Sequence, residues 1–392
     1  MTLMMLGPVH TGSGQVLGPL DYVVRQEKDG AIWFYAIDAA RIFGQMTDRQ
    51  RVDLESATRT GGPTAGLRRF INSVFDPSKH VVWQCQADEV LLRAYQQNEG
   101  GRQGSGGGRE QRNGGERERA LEPPSILTMT RTGQKGDPYL PGSSIKGAIR
   151  TAWLWYRAGA GQAMPGLQAQ AGMMRGDIFE AEVLGYRVQL GTAEEGIDTT
   201  DPHADPMRSV RVTDAALVPD SNVIERVVLY EGEGRQGSQR EPLFMDATFS
   251  GLEGEGIYAT GQMSIYRELQ AHAVPEGLRS EAGRRWRWPR AVAEEISAEQ
   301  ILEACRKFYL ENLRREFERF YKTSRYLRPV GEKLVQMAEQ LRPNEALLRI
   351  GRFSHIENMT VRPYAGGTGR TRGLAGALRP MGWVKMRLET VR

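Results

Sequence analysis

The chain has 392 residues, 40% of them hydrophobic, with 52 Lys and Arg against 48 Asp and Glu and a net charge of +4. That length suits two or three domains with sizeable cores, and no run of apolar residues is long enough to span a bilayer. Two cysteines far apart, Cys85 and Cys305, argue against a disulfide scaffold and a zinc ribbon and fit a reducing cytoplasm.

The start, Met1 to Pro8, is a short apolar run without a basic n-region, so it is expected as a first strand and not a signal peptide. The turn-rich stretch Pro8-Val-His-Thr-Gly-Ser-Gly14 follows. Leu20 to Val24 and Ile32 to Ile37 flank Lys28-Asp-Gly30, which predicts a hairpin. Asp38 is a candidate N-cap for a helix to about Phe43, Asp48 opens a second helical stretch, and Val81 to Cys85 reads as a strand. From about Gln96 to Arg119 the composition shifts to Gly, Arg, Gln and Glu, too polar to offset its ordering entropy. A flexible insert is expected there, at about 97–120.

Pro138-Tyr-Leu-Pro-Gly-Ser-Ser-Ile-Lys-Gly-Ala-Ile-Arg150 predicts an extended segment that turns at Pro141-Gly142 into a helix N-capped by Ser143. Apolar residues from Ile145 through Ile149, Ala152, Trp153 and Tyr156 give one buried face, while Lys146, Arg150 and Arg157 line another. Free amides, two hydroxyls and a basic stripe suit a phosphate. An ordinary amphipathic helix with solvated cations has the same spacing.

Asp205 to Ala215 is expected as a turn feeding a strand, with Arg208, Val210 and Val212 on one face and Ser209, Arg211 and Thr213 on the other. Val223 to Tyr230, Pro242 to Phe249 and Ile257 to Tyr266 are further strands, the first two joined by a polar Gly-rich loop. Ser297-Ala-Glu-Gln300 is a capping box before a helix with an apolar face of Ile301, Cys305, Phe308, Leu313, Phe317 and Phe320. A second helix is expected at about Glu332 to Leu341. From Pro343 to Arg392, nine Lys and Arg face three acids, a plausible phosphate-tracking surface or a basic tail that aids solubility. Its glycine-rich turns around Gly351 and Gly366 to Gly373 let a backbone approach a ligand closely, beside Arg352, Arg370 and Arg372. No Walker motif and no Rossmann fingerprint is present.

Four separated patterns carry a family resemblance: Pro8 to Gly14 with Leu20-Asp-Tyr-Val23; Tyr139 to Arg150; Asp205-Pro-Met-Arg-Ser-Val-Arg-Val-Thr-Asp214; and Arg349-Ile-Gly-Arg-Phe353 with Pro380-Met-Gly-Trp-Val384. In this order they resemble the RAMP superfamily of CRISPR-associated proteins, and more narrowly the fifth Csm subunit family, which ends the backbone of type III-A effector complexes. The resemblance implies an α+β fold of two ferredoxin-like, RRM-related units in tandem, with inserted loops and an added helical segment. The units are expected at 1–200 and 201–392, the second with a helical insertion at about 297–341.

The same resemblance implies a cytoplasmic, non-catalytic subunit that holds the 3′ region of the guide RNA (crRNA) and supports its maturation. Its partners would be crRNA, target RNA, the neighbouring backbone RAMP subunit, the small helical subunit and host nucleases, with no membrane and no cofactor. RNA held along a protein is bound mainly through phosphates and shape. Ser143, Ser144, Lys146 and Arg150 are the expected phosphate ligands on the helix, and Arg208 and Arg211 on the second unit. Arg352, Arg370 and Arg372 serve the C-terminal loops, and His10 and Ser13 the first turn. Tyr139 is a stacking candidate.

Some RAMP relatives are metal-independent endoribonucleases that process precursor crRNA, chemistry that needs a base for a 2′-hydroxyl. His10, with Lys146 as an electrostatic partner, is the candidate here, and His203 between Asp201 and Asp205 is a weak metal candidate. Neither is assigned: no catalytic and no metal residue is expected.

Overall fold

The computed structural model describes residues 1–61, 63–96, 124–132, 136–159, 180–181, 183–184, 187–190, 197–200, 205–232, 235–236, 243–249, 256–266, 296–359 and 369–390. The expected insert at 97–120 and His203 lie outside the described residues, as does Gly366.

The architecture is mixed α+β, with two principal sheets. The first, here the terminal sheet, runs Glu345–Arg349, Trp383–Arg387, Thr2–Met5, Tyr258–Thr260, Ala215–Leu217, Asp137–Leu140 and Arg131–Thr132. Thr2–Met5 pairs antiparallel with Trp383–Arg387 on one side and Tyr258–Thr260 on the other. Ala215–Leu217 pairs antiparallel with Tyr258–Thr260. Helix Gly142–Arg157 lies between the first and second of these four strands in sequence, and helix Ala298–Glu316 between the third and fourth. The chain order is therefore β-α-β-β-α-β and the spatial order fourth, first, third, second, a ferredoxin-like arrangement. Ile145, Ile149 and Trp153 of one helix and Ile301, Cys305 and Phe308 of the other bury their apolar faces in one core with Leu3, Met5 and Val384.

The second, wide sheet is built from the connections of the first. Its main path is Gly12–Leu17, Ile126–Met129, Leu243–Thr248, Asn222–Gly232, Val81–Ala87, Ile32–Ile37 and Tyr22–Gln26, and Arg372–Ala375 adds to Asn222–Gly232. Both sheets thus draw strands from 1–200 and from 201–392, because the links between the four ferredoxin-order strands supply the wide sheet. Alternation decides its two faces. Tyr22, Val24, Phe34 and Ala36 pack with Leu91 and Tyr95 of helix Glu89–Gln96. Val23, Tyr35 and Ile37 pack with Phe70 and Ile71 of helix Pro63–Val74.

Several local expectations hold. Tyr22–Gln26 and Ile32–Ile37 form the antiparallel hairpin, with Gly30 at φ +87 in its turn. Asp38 accepts from the Arg41 amide, and the Ser297–Gln300 capping box is complete. Two differ. Ile257 to Tyr266 is not one strand: Tyr258–Thr260 joins the terminal sheet and Met263–Ile265 turns away to pair with Val210–Val212. Ser143 is not the N-cap, since helix Gly142–Arg157 is preceded by Pro141 at that position, two residues earlier. The neighbouring strand instead brings Asp214 to the helix start, where its Oδ1 accepts the Gly142 amide at 2.8 Å.

Candidate nucleic-acid interface

Three motifs distant in sequence meet around a cavity of about 390 Å³, lined by Thr11 and Gly12, by Ser144, Gly147 and Thr151 of helix Gly142–Arg157, and by Gly351 and Arg352. Two close backbone approaches build it. Gly351 has φ +84, and a Cβ there would stand 2.4 Å from the His10 carbonyl oxygen. The Arg352 amide donates to that same oxygen at 2.8 Å. Gly142 lies so close to strand Val210–Val212 that a Cβ would stand 2.3 Å from the Val212 oxygen. Only glycine permits such approaches, and at Gly351 only glycine adopts the backbone without strain. Phe353 and His355 also hold positive φ, +65 and +60, so the loop after Gly351 is under strain of the kind concentrated at functional sites.

His10 forms the back of this region and is 2% exposed. Its Nδ1 lies 2.6 Å from the Asp246 carbonyl oxygen, which can only accept, so Nδ1 carries the proton and Nε2, on the Gly12 side, is the acceptor. Burial pushes the His10 pKa down, against the pull of Asp246. Ser13, expected in a turn, lies in strand Gly12–Leu17; it is exposed but bonded to Thr128, Oγ to Oγ1 at 2.7 Å, on the neighbouring strand Ile126–Met129. Ser143 is exposed and Ser144 half-buried at the cavity wall.

Lys146 stands on another part of the helix surface, half-buried. Burial lowers its pKa, opposed by Asp205 and aided by the Arg150 and Arg211 cations. Arg150 donates to Asp205 at 2.7 Å and to Glu180. Arg211 is exposed, its guanidinium 5.1 Å from the centre of the Tyr266 ring. Arg208 is exposed on the turn Pro206–Ser209, which Asp205 caps. The structure therefore gathers Lys146, Arg150 and Arg211 into a second basic group, partly neutralised by two acids.

The C-terminal arginines separate. Arg352 is exposed at the cavity and Arg370 is exposed nearer the end of the chain. Arg372 is turned inward, donating from Nε to Glu316 at 2.7 Å and from Nη2 to Glu357 at 3.0 Å, with its guanidinium 4.1 Å from the centre of the Phe320 ring. Glu316 also accepts from Arg349 and from the Tyr321 hydroxyl. Burial pushes the Glu316 carboxyl up, and Arg349 and Arg372 overcome it and hold its pKa down to about 2. Burial also presses His355 down to about 2, with Arg349 and Arg372 acting in the same direction.

Arg349, 1% exposed, lines the cavity too, and its Nη2 has no hydrogen-bond partner among the described residues. Sequence reasoning missed both Glu316 and Arg349. A signal existed: Glu316 falls three residues after Leu313 on an otherwise apolar helix face, and Arg349 interrupts Leu347-Leu-Arg-Ile350. A charge on a buried stripe calls for a partner. Among the described residues no group of His, Cys, Asp and Glu is placed to hold a metal ion. No described helix is long and apolar enough to cross a membrane.

The comparisons agree with this architecture. A model of the RAMP superfamily matches residues 2–354. Proteins named CRISPR system Cms protein Csm5, from Mycobacterium tuberculosis strains CDC 1551 and H37Rv, are each 25% identical over 234 residues, covering 57% of this chain and 56% of the relative. The chain thus spans about half the length of the curated relatives it matches. The crystal structure of T. onnurineus Csm5 superimposes with a TM-score of 0.61 at 18% identity, covering 98% of this chain and all of that one. A chain of a Csm–crRNA–target RNA ternary complex of a type III-A CRISPR-Cas system, solved by cryo-EM, gives a TM-score of 0.64 at 18% identity and 98% coverage of both chains.

Proposed function

This chain belongs to the RAMP superfamily, and from that premise we propose that it is a non-catalytic guide-RNA-binding subunit of a type III-A Csm effector complex. In this reading it caps the backbone, holds the 3′ region of the crRNA and supports its maturation. It sits in the cytoplasm against the neighbouring backbone RAMP subunit, the small helical subunit and target RNA, and meets host nucleases during maturation. The ferredoxin-order terminal sheet is one RRM-related unit, and the wide sheet is the counterpart of the second, elaborated by insertion.

One observation carries the reading: the His10 turn, the start of helix Gly142–Arg157 and the Gly351 loop converge on one cavity with exposed Arg352 beside it. Hydroxyls and a cation around a glycine-permitted approach suit a ribose-phosphate strand. Lys146 and Arg211 extend the track along the helix. Asp214, by accepting the Gly142 amide, leaves the phosphate role to the side chains rather than to that amide.

A processing endoribonuclease is the alternative, and the geometry disfavours it. His10, the base it requires, is buried and committed to the Asp246 carbonyl. The test is incubation of the chain, alone and with its RAMP neighbour, with labelled precursor crRNA in EDTA. Intact RNA, retained more tightly with the neighbour present, is the expected result. Specific cutting that disappears in His10→Ala would make this chain a nuclease and overturn the proposal.

A further inference from the structure

A second cavity, of about 610 Å³, opens where the wide sheet meets the far edge of the terminal sheet. Four consecutive residues of one strand, Val81 to Gln84, line it. Successive side chains of a strand face opposite ways, so four in a row are presented only along a strand's edge. The pairing agrees. Strand Val81–Ala87 is laddered to Ile32–Ile37 from Val81 to Gln86 on one side, with an irregularity at Val82, but on the other it pairs with Asn222–Gly232 only at Gln86 and Ala87. Among the described residues, the edge from Val81 to Cys85 carries no ladder on the cavity side.

The lining is apolar and the rim acidic. Val82 and Val218 are 42% and 44% exposed, and Trp83 and Tyr139 are half-buried beside them. Asp137, Asp214 and Asp220 are exposed around them. Arg131, the one Lys or Arg among the lining residues, is already spent: it donates to buried Asp246 and to the Gly136 carbonyl, with its guanidinium 3.6 Å from the centre of the Trp83 ring.

We propose that this groove docks an extended polypeptide segment of another subunit, one that alternates Lys or Arg with apolar side chains. The segment would add as a strand to the open Val81–Gln84 edge, main chain to main chain, as in other cases of strand addition. Its apolar side chains, which share one face of an added strand, would cover Val82 and Val218, and its cations would meet the aspartates. The three carboxylates repel phosphate, so this groove is a protein-docking surface on a chain whose proposed phosphate ligands lie elsewhere, and Tyr139, the stacking candidate of the sequence, lines it rather than the first cavity. An uncovered edge strand is otherwise an aggregation hazard that native proteins mask.

The probe is a short labelled peptide alternating Lys with Val, read by fluorescence anisotropy and by hydrogen exchange on the full chain. A Glu–Val peptide, a Gly–Lys peptide and oligouridylate serve as competitors. Expected are binding of the Lys–Val peptide, protection of the Val82–Gln84 amides, and a loss of about tenfold in affinity in both Asp137→Asn/Asp220→Asn and Val82→Lys. Asn is chosen at Asp220 because that residue has φ +55, a conformation Asn tolerates. Retention of guide RNA is expected to stay unchanged in both variants, which separates this docking from the RNA reading. Competition by oligouridylate, equal binding of the Gly–Lys peptide, indifference to both variants, or no binding at all would each overturn the proposal.

Discussion

Arg349 and Arg352 stand three residues apart on one strand and the loop that follows it, and they meet opposite fates. Arg349 is 1% exposed and donates to buried Glu316, which also holds Arg372 and the Tyr321 hydroxyl. Arg352 is exposed: its backbone amide is tied to the His10 carbonyl, while its guanidinium lies 5.9 Å from the centre of the Phe353 ring. The buried region fixes where the loop begins, and the open region keeps a cation available beside the cavity. The first is a matter of stability and the second of binding, so mutations should separate them cleanly.

The largest effect is expected on the buried side. Glu316→Gln leaves buried Arg349 without its carboxylate and Arg372 with Glu357 alone, and breaking such a buried pair costs about 3–5 kcal/mol. Urea unfolding should show it as a lowered midpoint with an unchanged slope. RNA retention per folded molecule should hold. A loss under about 1 kcal/mol would mean that the network is solvated and does not anchor the loop.

Acid should break the same region next. His355 has a folded pKa of about 2 against 6.5, so the unfolded chain takes up a proton that the folded one refuses. Its stabilisation is present above pH 6.5 and is lost as pH falls toward the folded value. His10, also lowered, acts with the same sign. Glu225 acts oppositely: burial raises its pKa to about 7, despite Arg379, so between 4.5 and 7 the folded form gains as pH falls. Below 4.5 that gain is complete and Glu316, lowered to about 2, begins to count against the fold. The fall should therefore steepen below pH 4.5, at about 1.4 kcal/mol per pH unit for each proton of difference. In His355→Asn, which suits the left-handed backbone, the loss should be shallower. Identical profiles in wild type and variant would remove His355 from the network.

Gly351→Ala attacks the joint between the two regions. The new Cβ falls 2.4 Å from the His10 oxygen and the φ of +84 is strained for alanine. A cost of about 1–3 kcal/mol is expected, with RNA retention lost as the His10 turn and the Arg352 loop part. Full retention at reduced stability would show that the cavity tolerates their separation and does not define the site.

What could be read in the sequence follows the range of the interactions involved. The Asp38 cap, the Ser297–Gln300 box and the Lys28-Asp-Gly30 hairpin are settled within a few residues, and they were legible. The amphipathic faces of helices Gly142–Arg157 and Ala298–Glu316 were legible because periodicity is local. Ser143 was misplaced because the group that meets the helix start, Asp214, lies 72 residues away. Arg372 was expected on the surface because its partners, Glu316 and Glu357, lie 56 and 15 residues away. The glycine at 351 was singled out for close approach, yet the sequence does not say that the approach is to His10. That pairing exists only because strands from both ends of the chain lie side by side in the terminal sheet.

Arg352→Ala tests the open side alone and should give the smallest change in stability. The side chain is exposed, and no folding energy beyond about 0.5 kcal/mol is expected from it. Its loss should weaken RNA retention about equally for different sequences, because a phosphate contact carries no base information. The slope of log affinity against log salt should flatten by about 0.7, the release expected when one single-strand phosphate contact is lost. A sequence-dependent loss would instead put a base against Arg352 and make the loop a reader rather than a clamp. An unchanged slope would move the RNA off this cavity and onto the Lys146 and Arg211 group, where Lys146→Ala would then flatten it.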